Sequence, residues 1–253
     1  MKLLTDIRLL FWRKMKETLR NPIYMLNSLL TPIIYLVLFA PLLKKLVGVP
    51  GLNANDVLNV FVPGLLVVIS FFSGLFVGYN MIDEVRNGVI ERFRVTPTSR
   101  FALLAGRVLR DMLNMLVIVA VFVVVSLPLG FRPDFVGFLL FIPLLCLLLI
   151  TTSSFGNALG LLLRDEDRLS PIVQGINLPI LLLSGMLLPM ELAPTWLQAL
   201  AHINPAYYAV EAGRLLVAGQ IREPKVAEAY LFMVPLTVIT VWWATRAFRK
   251  AIA

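Results

Sequence analysis

Long apolar runs and short polar segments alternate along this chain. A helix needs about 20 apolar residues to cross the hydrocarbon core of a bilayer. Six runs approach or exceed that length, at residues 24–43, 57–82, 112–129, 135–163, 172–188 and 230–247. The pattern therefore predicts an all-α membrane protein with six transmembrane helices, of which the fifth is the shortest.

The first 21 residues follow a different pattern, in which apolar side chains recur at helical spacing and basic side chains fill most positions between them. The apolar and basic positions are Leu3, Ile7, Leu10, Phe11, Met15 and Arg8, Arg13, Lys14, Lys16, Arg20. This pattern is typical of an amphipathic helix lying in the membrane interface. A proline disfavours the α conformation in the residue before it, here Asn21. We therefore expect an interfacial helix over 1–21 and a six-span domain over 22–253.

Composition and charge agree with a membrane location. Hydrophobic residues make up 59% of the chain, charged residues 15%, and the mean hydropathy is +0.86, outside the range of soluble domains. Of 23 basic residues, 17 fall in segments 1–21, 83–111, 164–171 and 246–253. Cytoplasmic loops carry such an excess, so both termini are expected in the cytoplasm and the chain in a plasma (bacterial inner) membrane.

The net charge of +8 has two interpretations, attraction to anionic membrane lipids or binding of nucleic acid. Because the basic residues follow the predicted topology, the lipid interpretation is favoured. Membrane lipids are therefore expected partners, and nucleic acid is not.

Ionisable residues are missing from the depth of the predicted spans. Asp83 and Glu84 fall at the end of a span, and Asp111 borders the third. Ion-coupled carriers usually need such a residue inside the membrane, so this class is disfavoured. The neutral polar side chains inside the spans suit hydrogen bonds between helices, with substrate contacts as the alternative.

Candidate chemistry is scarce. The single histidine, His202, has no second metal ligand nearby in sequence. The chain has no Gly-x-x-x-x-Gly-Lys-Ser/Thr phosphate-binding loop, so it is not expected to hydrolyse ATP alone. We therefore predict no catalytic residue, no metal site and no cofactor held by this chain.

Small residues recur four positions apart in two spans: Gly74 and Gly78 in the second, Gly156 and Gly160 in the fourth. Such pairs let helix backbones approach closely. Packing within one chain is favoured over a dedicated dimer contact, because these pairs are common in any helix bundle.

The polar segment between the second and third spans has a helical pattern of its own. Val85, Val89, Ile90 and Phe93 form an apolar stripe, which predicts a short amphipathic helix over about 84–95. Thr96-Pro97 ends this helix, because a proline disfavours the α conformation in the residue before it. Ser99 can cap the helix that follows. The alternative is a solvated loop rich in basic residues.

Two stretches resemble the ABC-2 type permeases, the membrane subunits of ABC exporters. The first is Asp-Glu-x-x-x-Gly88-x-x-Glu91-Arg-x-x-x-Thr96-Pro97, and the second is SGMLLPMELAPTWLQALAHINPAYYAVEAGR, residues 184–214. The resemblance extends over six spans and the amphipathic start, and is closest to daunorubicin-resistance and nodulation-factor export permeases. One departure is Gly88-Val-Ile-Glu91, where the family often has Gly-Thr-Leu-Glu.

The resemblance assigns roles to several residues. The helix at about 84–95 would be a coupling helix that docks on a separate ATPase subunit, and the loop at 164–168 would be a second contact. The residues implied in these contacts are Glu84, Gly88, Val89, Glu91, Arg92, Thr96, Pro97, Asp165 and Glu166. Short re-entrant helices are expected outside, at about 190–220 between the fifth and sixth spans. An external gate is expected at Pro189, Asn204, Pro205, Tyr207 and Tyr208.

The implied function is ATP-driven export of an amphipathic drug-like or lipid-like molecule from the cytoplasm or inner leaflet. Two copies of the ATPase subunit would bind ATP and Mg, and a second permease copy, in a homodimer or a paired homologue, would complete the pathway. The alternatives are translocation of a polysaccharide or glycolipid, an ion-coupled carrier, and a membrane protein without transport activity. Candidate pathway residues are Phe71, Phe72, Phe76 and Asn177, for which lipid-facing or packing roles are the alternative.

Overall fold

The computed structural model describes residues 2–20, 30, 33–38, 54–92, 99–186, 190 and 193–252. The described chain is helical, with turns between the helices and no strand. Residues 33–38 are helical, and the other described helices are α1 (Lys2–Leu19), α2 (Ala54–Arg86), α3 (Val89–Arg92), α4 (Arg100–Ser126), α5 (Phe135–Leu163), α6 (Glu166–Leu183), α7 (Thr195–Ala201), α8 (Pro205–Val217) and α9 (Pro224–Ile252).

Four of these helices are long and apolar enough to cross a bilayer: α2, α4, α5 and α9. Their candidate spans are Leu58–Arg86, Phe101–Ser126, Phe135–Leu163 and Pro224–Lys250. They correspond to the second, third, fourth and sixth predicted spans. Most of the first predicted span, 24–43, lies outside the described residues. The predicted fifth span falls on α6, which ends at Leu183, so the count of six spans stays a prediction.

Helix α4 begins where the sequence predicted a cap. The Ser99 side chain accepts a hydrogen bond from the Ala102 amide, which satisfies one of the amides left free in a first helical turn. Because α4 starts at Arg100, it extends the predicted third span by more than ten residues. Arg107 and Arg110 therefore lie within a membrane-spanning helix, not in a loop.

The glycine pairs of α2 and α5 pack directly against each other. A Cβ atom added at Gly156 would lie 2.7 Å from the Leu75 carbonyl oxygen and 2.9 Å from that of Gly74. One added at Gly160 would meet the carbonyl oxygen of Gly78. The two backbones are therefore in contact, which confirms packing within one chain as the use of these glycines.

Helix α1 is confirmed as helical and packs along the first half of α4. A Cβ atom at Gly106 would lie 2.8 Å from the Leu10 Cβ and 3.2 Å from the Phe11 amide nitrogen, so the two helices nearly touch at this glycine. Several large apolar side chains of α1 remain exposed on its other faces: Leu3, Leu4, Leu9, Trp12 and Leu19.

We call the end of the bundle where α2 and α5 finish and α4 begins the basic end, after Arg86, Arg100 and Arg164. A buried apolar cluster closes this end with residues from α2, α3, α4, α5 and α9. Its members are Met81, Ile90, Leu103, Leu104, Val108, Ala158, Leu161, Ala244, Ala247 and Phe248.

Candidate functional site

The predicted helix over 84–95 is interrupted in the structure. Helix α2 ends at Arg86, Asn87 and Gly88 form a turn, and α3 starts at Val89. Gly88 has φ +65°, a left-handed conformation that glycine adopts without steric cost. The prediction of one continuous helix from residue 84 is therefore wrong. The apolar stripe continues in the sequence, but a turn at Asn87 and Gly88 separates two helices. Residues 93–98, including Thr96 and Pro97, lie outside the described residues.

Ile90 attaches helix α3 to the bundle. Ile90 is buried in the cluster at the basic end, while Glu91 is exposed and Val89 is partly exposed. Arg92 is the last residue of α3. Ile90 thereby packs α3, with its exposed Glu91 carboxylate, against a cluster of side chains from α2, α4, α5 and α9.

Arg86 brings together the two segments predicted to contact an ATPase. Its guanidinium pairs with Glu166 and lies 3.8 Å from Asp165. The Asp165 side chain in turn accepts a hydrogen bond from the Asp167 amide and caps α6. All three side chains are well exposed, so these pairs contribute little to stability. Their effect is to place the 164–168 loop beside the α2 end.

Glu84 forms ion pairs within the chain. Its carboxylate pairs with Lys14 of α1 and with Arg107 of α4, and only 14% of its side chain is exposed. The Arg107 guanidinium is buried, contacts the Met81 sulfur and lies 5.3 Å from the centre of the Phe248 ring. Glu84 therefore joins three helices within the chain, and its role in the ATPase contact stays a prediction.

A second polar group lies further into the bundle. Ser153 of α5 donates to the Asp111 carboxylate at 2.7 Å, and Asn157 donates to the Ser153 carbonyl at 2.8 Å. The Arg110 guanidinium lies 3.2 Å from the same carboxylate. Asp111 is buried and lies inside the candidate span of α4. The sequence analysis placed Asp111 at the border of the third span, whereas the candidate span of α4 begins ten residues before it, at Phe101.

This polar group was missed because its charges look like part of a loop. Arg107, Arg110 and Asp111 follow the charge-rich segment directly, and a single sequence does not show which helix faces them. The available signal was the spacing of Arg107 and Arg110, one turn apart on a helix with a predicted cap. Basic residues there need acidic partners if they are buried, and Glu84 lies two residues after the neighbouring predicted span, 57–82.

A cavity of about 250 Å³ lies beside these groups, between α1, the end of α2 and the start of α3. Its lining residues are Lys14, Glu17, Thr18, Asn80, Asp83, Glu84, Asn87, Val89 and Arg110. Partial burial by itself would raise the pKa of Glu17, but the hydrogen bond and charge of Lys14, with Arg13 and Arg110, bring that pKa below its ordinary value. Glu17 therefore stays ionised at neutral pH.

At the opposite end, the predicted gate residues surround the end of α6. Asn204 accepts from the Ala206 amide at 3.0 Å and donates to the Ile180 carbonyl at 3.1 Å, so it caps α8 and ties it to α6. Pro205 is the first residue of α8. Pro189 lies outside the described residues.

Arg214 of α8 also reaches the end of α6. Its guanidinium donates to the Gly185 carbonyl at 2.7 Å and to the Val60 carbonyl of α2 at 3.1 Å. Gly185 has φ +73°, which helps its carbonyl face away from a continuing helix. Gly185 and Arg214, which both carried the resemblance in 184–214, therefore meet in space although they are 29 positions apart.

Aromatic side chains link α8 to α9. Tyr208 stacks on Phe232 with ring centres 4.3 Å apart, and Tyr207 meets Tyr208 edge to face at 5.5 Å. The two short helices predicted at about 190–220 are present as α7 and α8. Whether they re-enter the membrane stays a prediction.

The candidate pathway residues lie on α2 and α6. Phe71 is buried, and Phe72, Phe76 and Tyr79 form a line along α2 with successive ring centres 5.9 and 6.2 Å apart. Asn177 is partly exposed on α6. The pathway role of these side chains stays a prediction.

Comparison with known protein families identifies the chain. The family model described as ABC-2 type transporter matches residues 5–217, from α1 to the end of α8. The chain belongs to the ABC-2 type transporter family. This ABC-2 permease is thus a multi-pass membrane protein, and the resemblance seen in the two motifs is confirmed.

Individual relatives agree with this assignment. The permease is 30% identical over 211 residues to the daunorubicin resistance ABC transporter permease of Streptomyces coeruleorubidus, covering 82% of this chain and 73% of that one. It is 31% identical over 201 residues to a putative transport permease of Cyanophora paradoxa, covering 78% and 69%. A putative transport permease of Pyropia yezoensis is 26% identical over 217 residues, covering 85% and 74%.

Proposed function

We propose that this permease is the membrane-spanning subunit of an ATP-driven exporter that moves an amphipathic drug-like or lipid-like molecule out of the cytoplasm or inner leaflet. Two copies of a separate ATPase subunit bind ATP and Mg, and two permease copies form the pathway. The basic end faces the cytoplasm of a bacterial cell, because the positive-inside rule assigns the richer basic segments to that side. The relative named for daunorubicin resistance supports a drug-like substrate.

The packing of Ile90 of α3 into the buried cluster at the basic end is the observation that carries this proposal. A contact that transmits force has to be fixed to the parts that move, and Ile90 fixes α3 to a cluster contributed by α2, α4, α5 and α9. Exposed Glu91 is on the same short helix and is available to a partner. An ATPase subunit that pushes on α3 would therefore displace the ends of four membrane helices together.

The described contacts also suggest how this displacement travels. Glu84 links α1, α2 and α4 through its two ion pairs, and the glycine pairs hold α2 to α5 without intervening side chains. Tightly packed helices move as units because their interfaces resist continuous deformation. Motion at the basic end therefore reaches the opposite end along α2 and α5.

At that opposite end, Arg214 holds the turn after α6 to the start of α2. If α2 is displaced along its length, the hydrogen bond to Val60 has to break or α8 has to follow. The Asn204 contact with Ile180 makes α8 follow α6. We infer that these contacts close the external side of the pathway and change when substrate leaves.

Reversal of one charge on α3 tests the proposal. Glu91→Lys keeps a helix-forming residue at an exposed position, so membrane levels should not change. At the ATPase contact, a lost or reversed charge pair costs about 2 to 5 kcal/mol when it is desolvated by the partner. We expect pull-down of the ATPase subunit and substrate efflux to fall at least tenfold.

Glu228→Lys is the matched control, because Glu228 is also exposed on a helix but lies near the start of α9, at the other end. It should leave both pull-down and efflux unchanged. Equal association and efflux for Glu91→Lys and the unchanged permease would remove α3 from the ATPase contact.

A second candidate, an ion-coupled carrier, is favoured by one observation. Asp111 is a buried carboxylate within a candidate span, and such residues often mark ion or proton pathways. Its contacts with Arg110 and Ser153 provide a structural role without ion transport. The two functions differ in their energy source, which a transport assay distinguishes.

A further inference from the structure

The cavity beside α1 is lined by charges of both signs. Lys14 and Arg110 supply positive charge, and Glu17, Asp83 and Glu84 supply negative charge. Positive and negative side chains therefore lie close together, because all five border one space of about 250 Å³. A ligand that fits here has to carry both charges.

Two of these charged groups, Asp83 and Arg110, have polar atoms without a partner among the described residues. The Asp83 carboxylate is exposed and makes no ion pair or side-chain hydrogen bond there. Arg110 is 8% exposed, and its Nε atom has no hydrogen-bond partner in the part of the chain that the structure describes. Arg110 pairs with Asp111 but keeps one unused donor, and Asp83 is a carboxylate without a partner among the described residues, so both charges of a zwitterionic ligand would find a counter-charge here.

The charge pattern argues against simpler ligands. A purely anionic group would meet three carboxylates, and a purely cationic group would meet Lys14 and Arg110. Like charges at close range disfavour binding. The volume is also below that of most pockets for drug-sized molecules, so a compact polar headgroup fits better than a whole amphipathic substrate.

The position of α1 favours a lipid as the source of that headgroup. Leu9, Trp12 and Leu19 are 64%, 55% and 58% exposed, as expected for a helix whose apolar side chains enter the acyl region of a membrane interface. Glu17 and Thr18 line the cavity and directly precede Leu19 in the sequence. The cavity therefore lies at the depth of the lipid headgroups.

We propose that this cavity binds the headgroup of phosphatidylethanolamine, with the phosphate near Lys14 and Arg110 and the ammonium near Asp83 and Glu17. The ammonium of ethanolamine has three N–H donors, which carboxylates accept, whereas the quaternary ammonium of choline has none. The site is separate from the transport pathway, and it does not depend on which molecule the permease exports.

Native mass spectrometry of the full-length permease in detergent tests the site. Phosphatidylethanolamine, phosphatidylcholine, phosphatidylglycerol and soluble O-phosphoethanolamine are each titrated as probes. We expect phosphatidylethanolamine to bind about tenfold more tightly than phosphatidylglycerol, since hydrogen bonds to charged groups are among the stronger ones in proteins. Asp83→Asn or Glu17→Gln should remove its advantage over phosphatidylcholine.

Asp6→Asn is the matched control. It removes one carboxylate from the same helix, outside the cavity lining, and should leave the order of lipid affinities unchanged. Both cavity variants change exposed side chains, so each is expected to fold, which size-exclusion chromatography verifies.

Three results would overturn the site. Equal affinity for phosphatidylglycerol would show that the carboxylates do not select the headgroup. An unchanged preference in both cavity variants would place the lipid elsewhere. Equally tight binding of soluble O-phosphoethanolamine would assign the cavity to an aqueous ligand.

Discussion

Glu84→Gln is expected to destabilise the permease by about 3 to 5 kcal/mol, the usual cost of removing one partner from a buried ion pair. The side chain keeps its size, so packing is unchanged. What is lost is the negative charge that compensates Lys14 and Arg107, whose side chains are 11% and 6% exposed. Arg107 then loses its ion-pair partner, and Lys14 keeps only Glu17. The measurement is the midpoint of thermal aggregation of the detergent-solubilised protein.

Asp83→Asn is the control for this effect. It makes the same chemical change at the preceding residue, which is exposed, and should shift stability by no more than about 0.5 kcal/mol. If both variants unfold at the same temperature, Glu84 does not hold the three helices together, and the proposed route of motion loses its link between α1, α2 and α4.

Gly156→Ala is expected to lower stability by about 1 to 3 kcal/mol, the typical cost of overpacking a well-packed interior. The added methyl group would lie 2.7 and 2.9 Å from two backbone carbonyl oxygens of α2. Backbone atoms cannot rotate away as a flexible side chain does, so α2 and α5 have to separate. The same thermal measurement applies, and efflux should fall with it.

The matched substitution is Gly175→Ala on α6, where no atom lies within 4 Å of the added Cβ. Alanine is about 0.5 to 1 kcal/mol better than glycine within a helix, so this variant should be as stable as the unchanged permease or slightly more stable. A Gly156 variant with the stability of the Gly175 variant would contradict direct contact between the two backbones.

Local chemistry explains which parts of the fold the sequence predicted. Ser99 caps α4 as expected, because a serine hydroxyl satisfies an amide in the first turn of a helix regardless of what packs around it. The four long spans followed from run length alone. The Gly74 and Gly156 pairs were predicted to pack within the chain because such pairs are common in any helix bundle.

Contacts between helices distant in sequence explain the misses. The apolar stripe through Val85 and Val89 predicts one helix, and the turn at Gly88 follows from how Ile90 reaches a cluster built by other helices. The sequence placed Asp111 at the border of a span. Its contacts with Arg110 and with Ser153 of a different helix could not be read from the sequence. Tertiary contacts of this kind override local periodicity.

In the candidate site too, the sequence predicted which residues matter but not the distant residues that they contact. The order of residues in 184–214 pointed to Asn204 and Tyr208, but not to their partners. Arg214 was part of the resemblance without an assigned role, and the structure places its guanidinium on the carbonyls of Gly185 and Val60. Glu84 was predicted to face an ATPase subunit, and its two basic partners turn it into an internal link.

The most direct test of the central claim is transport by the purified permease in inside-out vesicles, with and without its ATPase subunit. Uptake of a fluorescent amphipathic drug such as daunorubicin is followed after addition of ATP and Mg, in the presence of ionophores that remove ion gradients. The account predicts uptake that requires both the ATPase subunit and ATP and that persists with ionophores. Uptake by the permease alone, driven by a proton or sodium gradient and lost in Asp111→Asn, would contradict it.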